Sequence, residues 1–153
     1  MAPEDEPLSV DTVLVPIDGT DDSTEAAEYA IAIADRYDAR VSAVYVLGES
    51  VTRAIQQDAI DQHAVAEETQ VYVDGLRQHA EAAGVALEAT VAYGFSQTRK
   101  SQHPGSVVLD TAEEIGADFL VIPREPQRED ERDTLAKAAE YVLLYASQPV
   151  LSV

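Results

Sequence analysis

The chain has no cysteine, no asparagine, only two lysines and no apolar run long enough to cross a membrane. Without cysteine there is no disulfide, thiolate metal site, iron–sulfur cluster or cysteine nucleophile. The three histidines, His63, His79 and His103, lack the helical spacing of an HExxH site, so no metal is expected. The first seven residues, Met1 to Pro7, are acidic and lack the basic start and apolar core of a secretory signal. A cytoplasmic protein with no membrane insertion is the expectation.

What the chain has in excess is negative charge. Its 29 acidic and 10 basic residues give a formal net charge of −19. Nucleic acid and anionic membranes would repel such a surface, so neither is an expected partner. Arginine outnumbers lysine eight to two, and with the missing asparagine this composition resembles that of proteins from extreme halophiles. At ~1 M salt the Debye length falls to ~3 Å and carboxylate repulsion is screened, so loss of fold on desalting is expected. The alternative is an acidic protein from ordinary surroundings.

The 153 residues, 46% of them hydrophobic, suffice for one well-buried core and not for two. Val13 to Ile17 is a short β-branched run ending in the turn and capping residues Asp18 to Asp22, which reads as a buried strand feeding a helix. Asp22 and Glu25 have the spacing of a capping box, and Ala26, Ala27, Ala30, Ile33, Ala34 and Tyr37 recur at helical spacing up to about Asp38. Val41 to Leu47 reads as a second strand stopping at Gly48. A long helix is expected from about Asp58 to Ala83, with a stripe of Ala59, His63, Ala66, Val73, Leu76 and Ala80 and a stop at Gly84. Gly75 inside it costs about 1 kcal/mol relative to alanine.

A third strand is expected over Val85 to Tyr93, a loop over Ser96 to Gly105, and a helix over Val107 to Ile115. Phe119 to Ile122 is wholly apolar and reads as a central strand. A charged loop, Arg124 to Asp133, leads to a helix carrying Leu135, Ala138, Ala139, Val142, Leu143 and Ala146, and Pro149 to Val153 forms a last strand. Strict alternation of strand and helix predicts an α/β domain, a parallel sheet wrapped by helices, over residues 11–153. The acidic residues 1–10 are expected to form a flexible tail.

Three segments in this order resemble the universal stress protein family: Val13-Leu14-Val15-Pro16-Ile17-Asp18-Gly19-Thr20, Ala117-Asp118-Phe119-Leu120-Val121-Ile122 and Pro149-Val150-Leu151. The resemblance implies an open five-stranded parallel sheet in the order 3-2-1-4-5, with helices on both faces and a ligand crevice where the order reverses. In ATP-binding members the loop after the fourth strand reads glycine, two residues, glycine, nine residues, glycine, then serine or threonine. Such glycines let backbone N–H groups approach phosphates. Here Pro123 and Pro126 stand for the first two glycines and Ala136-Lys137 for the last pair. Proline has no N–H and a fixed φ, so the usual cradle cannot form.

On the adenosine side, Pro16, Asp18 and Val46 match the family's nucleotide-contacting positions. Asp18 either accepts a ribose hydroxyl or only caps the turn, and Val46 either lines the site or belongs to the core. Arg99, Lys100, Arg124, Arg128 and Arg132 fall in the loops after strands three and four, which this topology brings to one sheet edge. With His103 and Ser101 they either bind a phosphate or acidic partner, or they pair locally with Glu125, Glu129, Asp130, Glu131 and Asp133.

There is no P-loop, GxSxG, HExxH or paired-glycine dinucleotide turn, and Ser23, Ser96 and Ser101 have only His103 as a possible base, so no enzyme is expected. An electron-transfer-flavoprotein-like reading has no supporting motif. The leading expectation is a non-catalytic regulatory module without cofactor that binds an unidentified protein partner as a homodimer. By the resemblance, its halves join through the last strand, at Val150, Leu151 and Val153. The alternative is an ATP- or AMP-binding protein that uses Arg124 and Arg128 for the phosphates.

Overall fold

All six residues of β1 (Thr12–Ile17) are buried, because this strand lies mid-sheet with helices over both faces. The computed structural model describes residues 8–47, 49–93, 104–123 and 134–153. Most of the expected tail, most of the expected loop after strand three and all of that after strand four, and therefore Arg99, Lys100, Ser101, His103, Arg124, Pro126, Arg128 and Arg132, lie outside the described residues.

After β1 come α1 (Asp21–Tyr37), β2 (Arg40–Leu47), α2 (Glu49–Gln56), α3 (Gln62–Ala82) and β3 (Leu87–Tyr93). Then follow α4 (Pro104–Ile115), β4 (Phe119–Ile122), α5 (Thr134–Tyr145) and β5 (Val150–Ser152). The strands form one parallel sheet in the order β3-β2-β1-β4-β5, as the resemblance implies. Alternate residues face opposite layers. Val13, Val15, Ile17, Val41 and Ala43 pack with Ala26, Ala30, Val73 and Leu76 under α1 and α3. Leu14, Val44, Val46, Leu120 and Ile122 pack with Val108, Ala112, Ala139 and Val142 under α4 and α5.

Several expectations need correction. The N-cap of α1 is Thr20, whose side chain accepts from the Ser23 N–H, while Asp22 lies in the first turn. The long helix expected from about Asp58 starts at Gln62, after Asp58 at φ +55° and with Asp61 as N-cap, and an unexpected helix, α2, precedes it. The buried stripe of α3 is Thr69, Val73, Leu76 and Ala80, and His63 and Ala66 are exposed. β3 starts at Leu87 rather than Val85, and α4 starts at Pro104, where a helix tolerates a residue without an N–H. Leu143, expected to face the core, is exposed, because the buried face of α5 runs through Ala138, Ala139 and Val142.

Candidate functional site

The crevice follows from how β1 and β4 pair. At their start the strands are tied together: one carboxylate oxygen of Asp118 accepts from the backbone N–H of Asp11 (2.9 Å) and of Thr12 (3.1 Å), and the Asp118 N–H reaches the Thr12 carbonyl. Register pairs then occur at Val13 with Phe119 and Leu14 with Leu120, and stop there. β1 keeps its register with β2 through Ile17 and Tyr45, and β4 keeps its register with β5 through Ile122 and Ser152. The sheet therefore opens between β1 and β4 at their carboxyl ends, where chain order reverses.

Pro16 fits this geometry. In a parallel strand both backbone groups of a residue point to one side, alternating along the chain. Thr12 points toward β4, so Pro16, four residues on, also does, at a level where β4 is no longer in register. The missing N–H of proline costs no ladder bond there. It also leaves this wall of the crevice without a donor.

The turn beyond β1 is built by three residues. Gly19 has φ +85°, and a Cβ there would lie 3.0 Å from the Tyr45 hydroxyl, so the position demands glycine twice over. One carboxylate oxygen of Asp18, Oδ1, accepts from the Thr20 N–H at 3.0 Å and from the Thr20 hydroxyl. Asp18 thus does cap the turn, through Oδ1. Asp18, Asp21 and Asp22 together place three carboxylates at the start of α1, where a helix otherwise favours an anion.

Val46 lies one residue past the last β1–β2 register pair and is buried in the core under α4 and α5. Its side chain is core. Pro123, the first residue after β4, is buried. The structure thus brings Pro16, Asp18, Val46 and Pro123 to one edge, and Ala136 and Lys137 fall in the first turn of α5.

Sequence reasoning missed the polar cluster beneath this turn. The Tyr45 hydroxyl donates to the Asp18 carbonyl at 3.2 Å, and the rings of Tyr45 and Tyr72 meet edge to face with centroids 6.0 Å apart. The Tyr72 hydroxyl lies 3.0 Å from Ser23 Oγ and 2.7 Å from Thr24 Oγ1. Burial raises the Tyr45 phenol above its ordinary value; a hydrogen bond with Thr69 partly opposes this, and the charges of Asp18 and Glu68 reinforce it. No sequence signal links Tyr72 to Ser23, which is 49 residues away.

Elsewhere, a cavity of about 360 Å³ lies at the α2–α3 connection, lined by Ile55, Asp58, Ala59, Ile60, Asp61, Gln62 and His63. Among the described residues no group of three or more histidines and carboxylates is arranged to hold a metal, and no helix is long and apolar enough to cross a membrane.

The family model described as "Universal stress protein family" matches residues 9–153. The chain belongs to the universal stress protein family. Universal stress protein MJ0531 of Methanocaldococcus jannaschii is 31% identical over 144 residues, covering 92% of this chain and 80% of that protein. Solved universal stress proteins share the fold at lower identity. One in complex with cAMP has a TM-score of 0.67 at 21% identity, covering 95% of this chain and 97% of that one. One from Archaeoglobus fulgidus in complex with dAMP has a TM-score of 0.61 at 16% identity, covering 95% and 98%.

Proposed function

We propose that this member of the universal stress protein family is a non-catalytic cytoplasmic regulatory module that binds a protein partner as a homodimer and has no seat for a triphosphate. The observation that carries this reading is Pro123, buried directly after β4, where a glycine would offer a backbone donor. Pro16 on the facing wall and the carboxylates of Asp18, Asp21 and Asp22 point the same way, because phosphates are held by donors and positive charge.

Charge distribution supports the dimer. Two copies of a chain with net charge −19 repel except where charge is absent, and from Tyr141 to Val153 no residue is charged. This segment includes β5, which among the described residues pairs only with β4, and the exposed Leu143, Leu144 and Tyr145 of α5.

The test is mass spectrometry for retained nucleotide after purification in molar salt, followed by calorimetry with ATP and AMP. The expected result is no retained ATP, and ATP binding no tighter than AMP. Stoichiometric ATP in the purified protein would overturn the reading.

One observation favours a second reading, in which a nucleotide with a single phosphate occupies the crevice. Relatives have been solved with cAMP and dAMP, which need no seat for β- and γ-phosphates. Asp18 Oδ2 would then accept a ligand hydroxyl, and Arg124 and Arg128 would meet the phosphate. AMP binding that weakens on Arg124→Ala or Arg128→Ala would support it.

A further inference from the structure

We propose that Tyr72 on α3 and Tyr45 on β2 are positioning residues for the crevice turn, coupling α3 to the main chain of Asp18, Gly19 and Thr20. The hydroxyl contacts support this. Ser23 Oγ lies 3.0 Å and Thr24 Oγ1 2.9 Å from the Thr20 carbonyl oxygen, which also accepts from the Thr24 N–H at 3.0 Å. Two lone pairs do not serve three donors, so the Tyr72 hydroxyl completes the bonding of this pair of hydroxyls. It lies 3.0 Å from Ser23 Oγ and 2.7 Å from Thr24 Oγ1, within reach to donate to one and accept from the other.

The chain of bonds continues toward the crevice. Ser23 Oγ accepts from the Asp18 N–H at 3.3 Å, while the Tyr45 hydroxyl donates to the Asp18 carbonyl at 3.2 Å. Both backbone groups of Asp18 are thus held by side chains, and Thr20 holds its carboxylate from the third side. Ser23 is fully buried and Asp18 partly exposed, so the network runs from the α1–α3 contact out to the turn. Phenylalanine at either position keeps the ring and removes the hydroxyl that makes these bonds. The inference stands whether the crevice takes a nucleotide, another ligand or none.

Amide hydrogen exchange by NMR on the full chain in molar salt tests it in both directions. In Tyr72→Phe, the amides of Asp18, Thr20, Ser23 and Thr24 are expected to exchange roughly three- to tenfold faster than any change shared with the core amides of Val13 and Val44, as loss of one hydrogen bond predicts. In Thr20→Ala, the amides of Tyr72 and Val73 should accelerate likewise, because coupling is reciprocal. Tyr45→Phe should shift the Gly19 amide resonance and accelerate the Asp18 amide. Acceleration only in step with the core, or confined to the substituted element with no response across the network, would overturn the proposal.

Discussion

At the scale of single residues, the turn after β1 has little tolerance. Gly19→Ala must hold a Cβ at φ +85° against the Tyr45 hydroxyl, and is expected to cost about 1–2 kcal/mol in urea denaturation. Tyr45 gives a pH signature. Its folded-state pKa is raised by burial, so its contribution to stability is complete below the unfolded value near 10 and is lost as pH climbs through the folded value. Chemical denaturation between pH 9 and 11 should show this loss, and Tyr45→Phe should flatten that part of the profile. Asp18 to Asp22 were legible as a turn and a helix start, yet which residue caps was not. Threonine and aspartate both cap well, and the choice fell to Thr20 because Gly19 reverses the chain immediately before it.

At the scale of elements, two helical glycines have opposite meanings. A Cβ at Gly75 on α3 meets nothing within 4 Å, whereas at Gly105 on α4 it would lie 2.5 Å from the Cβ of Tyr141 on α5. Gly75→Ala should therefore stabilise the protein by about 0.5–1 kcal/mol, a rise in thermal midpoint. Gly105→Ala should destabilise it by about 1–3 kcal/mol, because α4 and α5 must move apart. Equal effects of the two would contradict the close approach of these helices. The five strands were legible because their β-branched runs are short and bounded by turn residues. Helix α2 was not, since polar residues dominate from Glu49 to Asp61, and the start of α3 was read too early because a left-handed Asp58 leaves no mark in the apolar spacing.

At the scale of the molecule, charge governs. With 29 acids against 10 bases, helical circular dichroism should persist in molar salt and fall on dialysis to millimolar salt. A spectrum unchanged by dialysis would remove the salt requirement. Sedimentation in molar salt at micromolar concentration should give a dimer, and salt should strengthen the association, because the uncharged segment from Tyr141 to Val153 gains apolar contact while the rest of the surface is screened. A monomer under those conditions would count against the β5 interface.

Composition and periodicity alone determined the charge, the exclusion of thiol chemistry, the order of the five strands and the position of Pro123 after β4, since these are properties of the chain read locally. Only the tertiary structure decided that β1 and β4 part after Leu14 and Leu120, that the side chain of Val46 belongs to the core, and that Tyr72 reaches Ser23 and Thr24. Those are contacts between segments distant along the chain, and their formation depends on how the two layers of helices settle on the sheet.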